Sequence, residues 1–170
     1  MTRAILKICA ALLIVSAGAA AQTNDSAVYV TNEQIQAATK NIAFRIVDVG
    51  NAYVGVAIQH RPKAPAGQAG RPLLHSTVTE VYIVTAGSAK MATGGMMVNT
   101  GTWPADNKDN GEGIGLWFTG TVAKPNDVRS IKTGDVIIIP RGMPHWFTDV
   151  PEDLTYLVVR IDPAKTIVPK

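Results

Sequence analysis

The sequence predicts an all-β domain, a barrel or sandwich preceded by one short helix, on three observations. From Ala43 onward, short runs rich in Val, Ile, Tyr and Phe alternate with Gly, Pro, Asn and Asp. Runs this short and this evenly punctuated read as strands joined by tight turns. Thr31 with Gln34 three residues later forms a capping-box pattern, the one clear helix start after the N-terminal segment. Finally, the segment from Gly134 to Asp149 reads as an apolar strand, a Pro-x-Gly turn and a second short strand carrying a histidine. Many short strands with little helix pack as a single two-layered or closed β-domain.

The elements follow in order. Residues 22–42 form a lead and a short helix that ends near Lys40. Strands are expected near 43–49, 52–60, 72–76, 80–86, 88–92, 95–99, 115–121, 127–132, 135–139, 144–148 and 153–161. Two irregular stretches interrupt them. Arg61 to Arg71 contains Pro62, Pro65 and Gly67 and leads into His75. Thr100 to Gly113 is polar and turn-rich, but it lacks the oxygen ligands of a calcium loop: Lys108 and Trp117 occupy positions that need them. It reads as a surface insertion, with lid-like cover of a barrel mouth as the alternative.

The chain begins with Arg3 and Lys7, continues with an apolar run from Ile8 to Val15, and reaches Ala19, Ala20 and Ala21 before Gln22. That order is the pattern of a secretory signal peptide, expected to occupy residues 1–21, so the protein is expected to be exported, periplasmic or extracellular. The apolar run is too short to span a bilayer. Without the signal the formal net charge falls from +3 to +1, and no basic cluster remains to bind nucleic acid. The one cysteine, Cys9, lies within the signal, which excludes a thiol nucleophile and thiolate metal ligands from the mature chain. About 150 residues bury roughly 70% of their unfolded surface, enough for one ordinary core.

Three residues have metal-ligand character. His75 and Glu80 flank a tight reversal at Ser76 to Thr79, so they converge from adjacent backbone segments. His145 comes from a strand far along the chain. Two imidazoles and one carboxylate bind a divalent metal and leave positions open for water, oxygen or substrate. Each residue alone also fits a satisfied polar group in a barrel interior. His60 ends an expected strand in phase with Val54, Val56 and Ile58, the side expected to face inward, where it would add a ligand or act as catalytic acid or base. Solvent exposure at a strand end is its other reading. Tyr82 shares strand phase with Glu80, and Phe147 with His145; both read as lining or core, and the tryptophans as packing. There is no nucleophile-elbow motif and no phosphate-cradling glycine loop.

Taken together, the two segments resemble the paired motifs of the cupin superfamily. Gly67, Leu73, His75, Glu80 and Gly87 fall at the positions of the first motif, and Gly134, Pro140, Gly142, His145 and Asp149 at those of the second. The resemblance implies a cupin-like double-stranded β-helix, or jelly-roll, barrel over residues 43–170. It also implies a metal at His75, Glu80 and His145, drawn from Mn, Fe, Ni or Zn. Two departures stand out: Leu73 replaces the first histidine of the family's four-ligand set, and Asp149 replaces a terminal asparagine. The chemistries implied run from dioxygenation to isomerisation and decarboxylation. A non-catalytic barrel holding a small ligand is the competing expectation, and a purely structural metal the third. Expected partners are a small-molecule ligand or substrate and a second copy of the chain in a possible homodimer. Neither nucleic acid nor, after signal removal, a membrane is expected.

Overall fold

The computed structural model describes residues 26–102 and 117–167. The expected signal peptide and most of the Thr100–Gly113 insertion lie outside the described residues. The capping box forms as the sequence predicts: Gln34 N–H donates to Thr31 Oγ1 (3.3 Å) and Thr31 N–H to Gln34 Oε1 (3.0 Å). The helix α1 (Asn32–Ala37) stops three residues short of Lys40, because Ala38 turns extended. The Ala38 carbonyl instead meets His60 Nε2 at 3.0 Å.

Eleven strands follow among the described residues: β1 (Ile42–Asp48), β2 (Tyr53–Arg61), β3 (Leu73–His75), β4 (Thr79–Ala86), β5 (Ser88–Thr93), β6 (Met97–Thr102), β7 (Trp117–Val122), β8 (Asp127–Lys132), β9 (Val136–Ile139), β10 (His145–Asp149) and β11 (Leu154–Asp162). They build two antiparallel sheets, β1-β2-β11-β4-β9 and β6-β7-β3-β10-β5-β8. Among the strand boundaries that moved, one has a clear backbone cause. The strand predicted at 95–99 starts at Met97, because Gly94 and Gly95 take positive φ (73° and 90°) and make the turn that precedes it.

The core lies between the sheets. Ala57, Tyr82, Val84, Ile139, Leu154, Tyr156 and Val158 from the first pack with Ala89, Met91, Ile131 and Phe147 from the second. Gly87 is the corner between them, since β4 belongs to one sheet and β5, one residue later, to the other. Its φ is +78°, and a Cβ there would run into the Asp153 carbonyl, so only glycine turns this corner without displacing the β10–β11 connection.

The register reverses one face assignment. In β11, buried Tyr156, Val158 and Arg160 pair with Gln59, Ala57 and Gly55 of β2. Directly paired residues project to the same side of a sheet. The inner face of β2 is therefore Gly55, Ala57, Gln59 and Arg61, while Val54, Val56, Ile58 and His60 face outward. The apolar run gave the opposite phase because the inner residues are small (Gly55, Ala57) or polar (Gln59, Arg61), while the large apolar residues lie in the outer phase. Gly55 lies beside Arg160 and Gln59 beside Tyr156, and both faces of this strand carry apolar residues.

Candidate metal centre

Three strands from two sheets deliver the expected ligands to one place. His75 ends β3, Glu80 is the second residue of β4, and His145 opens β10. One ligand atom from each lies within 4.8 Å of the others, and all three residues are buried. Backbone bonds fix this convergence. The Pro140–Met143 turn closes on itself through Met143 N–H to Pro140 O (3.1 Å), and Gly142 N–H donates to the His75 carbonyl at 2.7 Å. Arg141 N–H reaches Thr79 Oγ1 at 3.3 Å. The turn that launches His145 is thus tied to the segment that carries His75 and Glu80.

Glu80 is divided between two tasks. Its Oε1 accepts from Arg160 Nε at 2.9 Å, and the two residues are directly paired across β4 and β11. Its Oε2 faces the histidines, 3.5 Å from His75 Nε2 and 3.3 Å from His145 Nε2. The Tyr82 hydroxyl lies between, 2.9 Å from Oε2 and 3.2 Å from His145 Nε2. His145 Nδ1 is 3.0 Å from the Met143 carbonyl. A carbonyl only accepts, so Nδ1 carries a proton there and Nε2 is the ring nitrogen turned to the cluster. His75 is held by packing: Trp117 stacks on it at 5.8 Å with planes 16° apart. Its buried Nδ1 has no hydrogen-bond partner among the described residues.

Burial pushes the His75 imidazole down from 6.5 to about 4. The Glu80 carboxylate opposes that shift, while His145 and Arg160 reinforce it, so the ring is neutral near pH 7. Burial alone would raise the Glu80 carboxyl. His75, the hydrogen bond with His145 and the Arg160 charge outweigh it and hold Glu80 well below the usual carboxylate range. Burial, and then the Glu80 charge, push the Tyr82 phenol well above its ordinary value.

This donor set fits a cation. Glu80 Oε2 faces His75 Nε2 and His145 Nε2, one carboxylate oxygen and two imidazole nitrogens of the kind that bind divalent transition metals. His145 Nδ1 and Glu80 Oε1 carry outer hydrogen bonds of the kind that orient metal-binding imidazoles and carboxylates. His75, Glu80 and His145 would hold a divalent metal, with the carboxylate binding through Oε2 while Arg160 retains Oε1.

His60 is not among the residues brought together. Its backbone N–H donates to Asn41 Oδ1 (2.7 Å), and its ring nitrogens lie against Thr155 Oγ1 (3.1 Å) and Ala38 O (3.0 Å). Facing outward from β2, it pins the N-terminal segment to the barrel. His60→Ala is expected to lower stability by about 1–2 kcal/mol and leave metal content unchanged, checked by urea denaturation and elemental analysis. A loss of metal would restore His60 to the site. Asp149, the last residue of the second motif, lines a surface cleft with Ser88, Lys90 and Lys132 and stands apart from the cluster.

Arg160 was missed by reading the chain for ligands. Its signal lies in strand phase: Leu154, Tyr156, Val158, Arg160 and Asp162 alternate as the buried side of β11. A charge in the apolar phase of a strand is a buried charge and needs a partner. Tyr82 was placed correctly, facing inward, but read as lining and not as a polar contact of Glu80.

The architecture and the paired motifs agree with a comparison against protein families: a family model described as Cupin matches residues 50–168. The chain belongs to the cupin family. Similar solved structures include a protein from Bacillus halodurans (TM-score 0.49, 13% identity, 86% of this chain and 92% of that one). Another is a protein with a double-stranded β-helix domain from Klebsiella pneumoniae (TM-score 0.42, 16% identity, 86% and 100%). A third is a cupin protein from Bacteroides fragilis (TM-score 0.41, 12% identity, 66% and 68%). No curated protein matches the sequence.

Proposed function

We propose that this cupin is an exported protein that binds a divalent transition metal (Mn, Fe, Ni or Zn) through His75, Glu80 and His145 inside the barrel. We further propose that it uses the site as a small-molecule metalloenzyme of the oxygenase, isomerase or lyase type. The observation that carries the reading is the convergence of two imidazoles and one carboxylate from three strands on one buried cluster. Export is supported by the order of basic, apolar and small residues from Arg3 to Ala21. A bound metal would supply a Lewis acid or an oxygen-binding centre with coordination positions open to a ligand.

The chain's own residues prepare that site in defined ways. Met143 fixes the tautomer of His145, and Arg160 anchors one oxygen of Glu80 so that the other faces the histidines. Trp117 holds the plane of His75. Depressing the His75 pKa keeps its lone pair available through mildly acidic conditions.

A second reading, a barrel that holds a small ligand without turnover, is favoured by two observations. Glu80 already has a full cationic partner in Arg160, and Leu73 stands where the family places another imidazole. Such a site is complete in charge without a metal.

Elemental analysis of the purified mature protein separates the two. Stoichiometric metal is expected in the wild type and is expected to fall at least about tenfold in His75→Ala, Glu80→Ala and His145→Ala. Metal-free wild-type protein that still binds a small ligand would remove the enzyme reading.

A further inference from the structure

We propose that the Tyr82 hydroxyl is a fourth donor of this metal centre, standing in for the imidazole missing at Leu73. The inference rests on the metal reading above and extends it to a residue outside the expected set.

The argument is one of distances between donors. Nitrogen and oxygen ligands bind first-row divalent metals at about 2.0–2.2 Å. Two such ligands at neighbouring corners of a tetrahedron or octahedron are therefore separated by roughly 2.8–3.6 Å. The pairs around Glu80 Oε2 fall in that window: His75 Nε2 at 3.5 Å, His145 Nε2 at 3.3 Å and Tyr82 Oη at 2.9 Å. So does the remaining measured edge, Tyr82 Oη to His145 Nε2 at 3.2 Å. The phenol oxygen thus has the separation from two expected ligands that a further ligand has. A residue that only supports Glu80 from behind has no reason to approach His145 Nε2 as well. Arg160 shows the contrast, since it approaches Oε1, on the side turned away from the histidines.

Packing supports the same assignment. Tyr82 is buried, with its ring against Tyr156 at a centroid distance of 4.6 Å. The ring is held from behind and its hydroxyl is aimed at the cluster. Leu73 pairs directly with His145 and shares the strand phase of His75, so an imidazole there would enter from the β3 side. With leucine at that position, the β3 side offers no second nitrogen, whereas Tyr82 supplies an oxygen from β4.

The test uses Cu(II), the strongest-binding divalent ion of the first row, on the full mature protein and on Tyr82→Phe. Phenylalanine removes only the oxygen and retains the ring packing, so the variant keeps the fold; a circular-dichroism spectrum and thermal melt check this. Copper affinity is expected to fall about 10- to 100-fold in Tyr82→Phe. The wild type is expected to show a visible phenolate-to-copper charge-transfer band that the variant lacks. Imidazole and carboxylate ligands do not produce that band, so it separates a ligand from a residue that merely positions Glu80. Restoring a donor from the other side, in Leu73→His combined with Tyr82→Phe, is expected to recover affinity without the band. A wild type that binds copper stoichiometrically but has no band overturns the Tyr82 assignment alone, whatever the affinity of the variant. A wild type that binds no copper, with Glu80→Ala and His145→Ala indistinguishable from it, overturns the metal centre itself.

Discussion

Arg160→Met is expected to destabilise the metal-free protein by about 3–5 kcal/mol, the usual consequence of leaving a buried charge without its partner. Glu80 and Arg160 are both buried, and their side chains are 2% and 9% exposed. Among the described residues the guanidinium is the donor to Glu80 Oε1, whereas Oε2 keeps the Tyr82 hydroxyl. Methionine fills much of the same volume, so the loss reports on charge and hydrogen bonding more than on a cavity. The double variant Arg160→Met, Glu80→Gln removes both charges and is expected to recover much of the stability, leaving a deficit of roughly 1–2 kcal/mol. Urea denaturation of the single and double variants at pH 7 measures the difference. A single-variant loss below about 1 kcal/mol would show that Glu80 is stabilised without Arg160.

The pair also explains how the two sheets share work. β4 and β11 place Glu80 opposite Arg160 in register, which settles the carboxylate within one sheet. The other sheet contributes His75 and His145. The site therefore depends on the distance between sheets, which the packing of Tyr82, Tyr156 and Phe147 maintains.

Much of this was legible in the chain because the relevant signals are local. The capping box at Thr31 and Gln34 needs four residues, and the Pro140–Gly142 turn needs three. The cluster of His75, Glu80 and His145 was legible because two histidines and a glutamate stand in strands next to tight turns. Strand phase was harder. In β4 the alternation of Glu80, Tyr82 and Val84 with Val81 and Ile83 puts apolar residues on both faces, and in β2 the same ambiguity reversed the assignment of His60. Only pairing with β11 decides which side of β2 is inside, and pairing between residues about a hundred positions apart has no local signature. Arg160 was hidden for the same reason, since its partner lies eighty residues away.

Acid is expected to weaken the metal-free protein by at least about 3 kcal/mol between pH 7 and pH 4, and the sign follows from His75. Its folded pKa is depressed to about 4 from 6.5, so over that interval the unfolded chain takes up a proton that the folded protein refuses. The stabilisation is fully present above pH 6.5, declines as pH falls, and is lost by about pH 4. Roughly 2.5 pH units at about 1.4 kcal/mol per unit give the 3 kcal/mol. Glu80 adds a loss of the same sign. Its carboxyl is held well below the ordinary range, so its contribution is present above about pH 4.5 and disappears as pH falls further. The two losses are consecutive, which predicts a steepening decline and not a plateau near pH 4. Urea midpoints of metal-free protein at pH 7, 5.5 and 4.5 test this. His75→Gln, which cannot take up the proton, is expected to flatten the slope between pH 6.5 and 4.5 and leave the steeper acid limb in place. An unchanged slope in that variant would place the titration elsewhere. Metal should make the dependence stronger still, because ligand binding requires the deprotonated imidazole and carboxylate that acid removes.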